Sequence, residues 1–143
     1  MMRYLILLTF FAVLLNAAII RDNNRDVVID NENNLMWMDN IENMKIMTSH
    51  QNAEAYCEEL AFVGFSDWRL PHIDEYELIV DKNNDKNYIH KAFKFNQKAG
   101  YWAQTAHFRT LWFYADYMHF ISGTAYFDSR FKEKFVRCLR EIE

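Results

Sequence analysis

The chain has 143 residues and a formal charge of −4, and 51% of its residues are hydrophobic. That length holds one ordinary domain, and an acidic balance with no run of like charge argues against a nucleic-acid or anionic-membrane partner. Aromatic residues reach 17% while Gly (3) and Pro (1) are scarce, so aromatic side chains must fill much of the core.

At the N-terminus Arg3 precedes an apolar run from Tyr4 to Leu15, followed by Asn16, Ala17 and Ala18. This pattern is read as a secretory signal peptide over residues 1–18. The apolar run is too short to span a hydrocarbon core of roughly 30 Å at about 1.5 Å per residue, so no stable membrane insertion is expected after cleavage. Residues 19–143 then form a single exported domain.

Val27 to Ile29 and Leu35 to Met38 are short apolar runs separated by Asp30-Asn31-Glu32-Asn33-Asn34, a turn-favouring cluster that predicts a β-hairpin. From Thr48 or Ser49, either of which can cap a helix, Ala53, Tyr56, Cys57 and Leu60 recur at helical spacing. Gly64 ends that region. Ser66-Asp67-Trp68-Arg69-Leu70-Pro71 leads into a second helix with His72 near the cap, Asp74 and Glu75 in the first turn, and Ile73, Tyr76, Ile79 and Val80 on its apolar face. The polar run 81–87 stops it. Tyr101 to Thr105, Leu111 to Phe120, Thr124 to Asp128 and Phe135 to Arg140 read as strands, with Ser122-Gly123 turning between two of them.

Export places the two cysteines, Cys57 and Cys138, in an oxidising compartment, where a bridge between them is expected. In the chain-entropy model, closing a loop of about 80 residues stabilises a fold by roughly 4 to 5 kcal/mol.

Several segments together resemble one family. Leu35-Met36-Trp37, Ala55-Tyr56-Cys57, Gly64-Phe65-Ser66-Asp67-Trp68-Arg69-Leu70-Pro71, Tyr101-Trp102 and Val136-Arg137-Cys138 stand in the order and spacing of the C-terminal domain family of the Legionella collagen-like protein, from about Val27 to Arg140. The resemblance implies an α+β, C-type-lectin-like fold, with two helices packed on short mixed and antiparallel strands and a disulfide between the first helix and the last strand. It also implies an exported bacterial protein, periplasmic or on the cell surface, that binds a glycan or an envelope or surface protein. Trp37, Trp68, Arg69 and Pro71 belong to the motif and are assigned structural roles. His72 stands where Thr or Ser is usual in the family, and Ala103-Gln104-Thr105 replaces a Ser-Ser-Thr run. The Glu-Pro-Asn and Trp-Asn-Asp segments of calcium-dependent sugar-binding lectins do not occur.

No catalytic residue, metal site or cofactor is assigned. Asp81, Asn83 and Asp85 begin like an EF-hand loop, but Lys86 and Ala92 stand where that loop needs Gly and Glu, so a solvated connection is expected. His50, His72, His90, His107 and His119 lack the spacing that pairs two imidazoles on one helical face. The Trp102 to Arg130 region is the expected ligand surface, with Trp102, Gln104, His107, Arg109, Asp116 and Arg130 as candidate binding residues. The expected function is therefore non-catalytic binding. Its alternatives are a structural or assembly subunit of an envelope complex, or oxidase chemistry on a lectin-like fold such as that of formylglycine-generating enzymes, which would require Cys57 and Cys138 as free thiols.

Overall fold

The computed structural model describes residues 18–106, 111 and 113–143. These residues form an α+β fold with two sheets, two α-helices and one disulfide. In chain order β1 (Ile19–Asp22), β2 (Val27–Asp30) and β3 (Leu35–Met38) form an antiparallel meander, then come a 3₁₀ turn (Ile41–Met44), β4 (Met47–Thr48), α1 (His50–Glu58) and α2 (Ile73–Ile79). The strands β5 (Gly100–Ala106), β6 (Tyr114–His119), β7 (Thr124–Ser129), β8 (Lys134–Phe135) and β9 (Leu139–Glu141) complete the chain. One sheet has the order β1-β2-β3-β9, and the other β4-β8-β5-β6-β7.

Local chemistry accounts for the turns. Buried Asp30 accepts hydrogen bonds from the backbone N–H groups of Glu32 and Asn33 and from the Asn33 amide, and Asn34 takes a left-handed φ of 54° to re-enter β3. Ser49 caps α1, its hydroxyl accepting from the Asn52 N–H at 3.4 Å, while His72 precedes α2 and donates its N–H to Glu75 Oε1 at 2.8 Å.

Two strands differ from the sequence reading. The run from Phe135 to Arg140 is broken at Val136-Arg137-Cys138, where the chain crosses from the second sheet to the first. Arg137 points inward there and donates to Met38 O (2.7 Å), Asp39 Oδ1 (3.0 Å), Asn96 Oδ1 (3.1 Å) and Phe95 O. Strand β6 begins only at Tyr114, after Leu111, which has a φ of 52°. Strand β1 was not anticipated. It pairs along β2, and its Arg21 forms ion pairs with Asp26 and with buried Asp39.

The core has two parts. Trp37, Tyr76, Tyr101 and Phe120 pack in one, and Trp68, Trp102, Ala53 and the disulfide in the other. Alternation along β5 sends Tyr101 into the first and Trp102 into the second, so the larger sheet is covered on both faces at this point. Cys57 on α1 and Cys138 just before β9 are bonded, with Cα atoms 5.5 Å apart.

Trp68 is buried, and its indole N–H faces Phe65 O (3.1 Å) and Phe62 O (3.3 Å), which closes the Phe62–Phe65 turn. Arg69 reaches one loop carbonyl, Leu70 O at 3.2 Å, but its main partner is the Glu75 carboxylate, held through two bonds of 2.7 and 2.8 Å. Pro71 accepts the Gln104 N–H at 2.8 Å, and Trp37 is fully buried in the first core cluster. The 81–87 connection is a chain of turns, with Asp81 accepting from the Asn83 N–H and Asn84 bonding Ile89 O.

Candidate functional site

The N-terminus of α1 meets the ends of β5 and β7, and His50 is the centre of that junction. Its backbone N–H donates to Arg130 O at 3.0 Å. Its Nε2 lies 2.8 Å from Ala103 O, and a carbonyl only accepts, so Nε2 carries the hydrogen. That leaves Nδ1 as an acceptor for Arg130 Nε at 3.0 Å. Burial pushes the imidazole pKa below its ordinary value, the Arg130 charge adds to this, and the bond to Ala103 O opposes it. His50 is thus a neutral, fully buried bracket that fixes the Arg130 side chain.

Arg130 also lies 3.8 Å from Glu54 Oε2, and burial raises the Glu54 pKa. Arg130 borders an open cavity of about 270 Å³ that is also lined by Ser49, Gln51, Leu111, Phe113 and Phe131. Three of these are large apolar side chains left in water: Leu111 is 76% exposed, Phe131 75% and Phe113 52%. The Phe113 and Phe131 rings lie 6.3 Å apart and tilted. An apolar rim around one tethered cation can bind a ligand with mixed apolar and polar character.

The candidate residues fare differently. Arg130 borders the cavity. Asp116 and the Gln104 backbone lie close enough to act on the His50 ring. Gln104 is half-buried, and among the described residues its Oε1 has no hydrogen-bond partner. Trp102 has to be corrected: it is completely buried, its indole N–H donates to Thr48 O at 2.8 Å, and the His50 ring packs edge-on at 5.2 Å, so it supports the site from below and offers no surface to a ligand. His107 and Arg109 lie outside the described residues.

Sequence reasoning missed His50, Glu54, Phe113 and Phe131 as site residues. For His50 a signal existed, because it sits three residues before Ala53 and seven before Cys57 on the same buried stripe of α1. Among the described residues no group of three or more His, Cys, Asp or Glu side chains could hold a metal ion.

Fold and site together describe a disulfide-locked α+β domain with an open cavity where the N-terminus of α1 meets the segments flanking β6 and β7. The chain belongs to the family of the Lcl C-terminal domain, whose family model matches residues 26–140. That match covers every element from β2 to the middle of β9. Comparison with curated proteins and with solved structures found no match.

Proposed function

We propose that this protein is an exported bacterial binding module of C-type-lectin-like fold that recognises a glycan or protein ligand at the cell envelope, in the periplasm or on the surface, without catalysing a reaction. The observation that carries the reading is the cavity beside Arg130, where Leu111, Phe113 and Phe131 remain exposed around a guanidinium held by His50. Exposed aromatic anchors beside a positioned Arg are the residue types that dominate recognition energetics. The lectin-like assignment draws support from the pairing of β3 with β9 and from the bridge between the first helix and the segment before the last strand. Export draws support from the apolar leader and from that bridge. Oxidase chemistry would need two free thiols, and both cysteines are in the disulfide.

A glycan-array screen and a pull-down from envelope extract test the proposal. Binding in either assay should fall about tenfold or more in Phe131→Ala, the loss of one anchor. Negative results in both assays would remove it. A cross-linked envelope partner with no glycan affinity would favour the assembly-subunit reading, which the same apolar rim also supports.

A further inference from the structure

A second constellation lies at the other end of the β6–β7 hairpin. Register places Tyr117 opposite Tyr126, and His119 opposite Thr124, all on one sheet face. The three rings form a cup: Tyr117 and Tyr126 are 6.0 Å apart and tilted 30°, His119 stands edge-on to Tyr126 at 6.0 Å, and Tyr117 and His119 are 5.8 Å apart. With Ile121 and Ser122 they line an open hollow of about 300 Å³. Tyr126 is 49% exposed.

We propose that this cup is a second binding site, for the C–H face of a neutral pyranose ring. It extends the binding-module reading to another face and stands on different residues. Six positions along β6 and its lead-in separate Phe113 from His119, a distance of about 20 Å in extended chain.

Three features favour this ligand. The floor is built into the fold: a Cβ on Gly100 would lie 2.9 Å from Tyr117 Cδ2, so the absence of a side chain lets the Tyr117 ring lie against β5. Among the described residues the lining carries no carboxylate, ammonium or guanidinium. Lys134 reaches over Tyr117, its Nζ 3.9 Å from the ring centroid, but it is paired with Asp128 at 3.0 Å, so its charge is met within the protein.

The polar atoms of the cup are of the kind that meet hydroxyls. His119 Nδ1 accepts the Ile121 N–H at 3.2 Å, which leaves Nε2–H as a donor in the neutral ring. Burial and the Lys134 charge lower the His119 pKa, and burial raises that of Tyr117, so both stay neutral near pH 7. Aromatic faces carry negative potential and attract polarised C–H groups, and phenol and imidazole donors at their edges can bond ring hydroxyls. At about 300 Å³ the hollow has room for one sugar ring.

Saturation-transfer NMR on the full chain, with cellotriose and chitotriose as separate probes, provides the test. Transfer to the ring C–H protons of at least one probe is expected, with shift changes in wild-type resonances of His119 and Tyr126. Tyr126→Ala should lose at least tenfold in affinity, whereas Tyr126→Phe, which keeps the ring, should stay within a few-fold. Ile20→Ala, an exposed position on β1 in the other sheet, should leave the signal unchanged. No transfer from either probe, an undiminished signal in Tyr126→Ala, or shifts at Phe113 and Phe131 instead would each overturn the second site. None of these outcomes touches the envelope pull-down that tests the Arg130 cavity, so the two readings fail separately.

Discussion

The two halves of the core are held by different means. Around Trp37 and Tyr101 the tie is ionic: buried Asp39 receives Arg137, Arg21 and the N–H groups of Lys94 and Phe95, and Arg137 also lies over the Phe93 and Tyr101 rings. Around Trp102 and Trp68 the tie is covalent, the Cys57–Cys138 bridge. The ionic tie acts on the native state, where each buried charge depends on its partners. The bridge acts mainly on the unfolded chain by restricting it. Arg137 and Cys138 are neighbours in sequence, so the segment between β8 and β9 anchors both halves.

Breaking the ionic tie should have the largest effect. Asp39→Ala leaves Arg137 short of its carboxylate inside the core and should lower stability by about 3 to 5 kcal/mol in urea unfolding. An unchanged midpoint would mean that the backbone carbonyls alone satisfy Arg137. Breaking the covalent tie by reduction or by Cys138→Ser should cost about 2 to 5 kcal/mol. Because that effect lies mostly in the unfolded state, near-ultraviolet circular dichroism of the native protein should change little. Large native-state spectral loss would instead show that the bridge holds Trp68 and Trp102 in place.

The smallest expected effect distinguishes the halves by pH. His50 belongs to the half around Trp102, and burial holds its pKa below the ordinary 6.5. The unfolded chain therefore binds this proton more readily than the folded one, so stability should fall as pH drops below about 6.5. Glu54, raised by burial from 4.5, has the opposite sign and acts at lower pH, so the informative window is about pH 7.5 to 5.5. The melting temperature of the wild type should decline across that window, and that of His50→Gln should decline less. Equal slopes would exclude His50 as the titrating group.

The elements with one covered face were legible in the sequence. The Asp30–Asn34 turn, the α1 stripe through Ala53 and Cys57 and the acids at the start of α2 all follow from local chemistry or spacing, while the cysteine pair follows from the expected oxidising compartment and the family resemblance. Where both faces are covered the period-two signal vanishes, and Tyr101, Trp102 and Ala103 are all buried, so strand alternation does not say that Trp102 is core, and only the aromatic-rich composition leans that way. The break at Arg137 was hidden for a related reason, since a charged residue within an aromatic run reads as an outward strand position until its buried partners are known. Of the candidate site, Arg130 could be read directly. His50 and Phe131 needed the tertiary contact that brings α1 to the end of β7.

The disulfide also determines how the domain would respond to pulling. Tension applied between the two ends of the chain passes from Cys138 to Cys57 through the sulfur–sulfur bond, and the 81 positions of separation between them are bypassed. Strands β5 to β8 and the whole Tyr117–Tyr126 cup lie within that shielded loop. Under load the outer strands β1 to β3 and β9 can unzip and lengthen, while the hairpin that presents both proposed binding faces stays short as long as the bridge is oxidised.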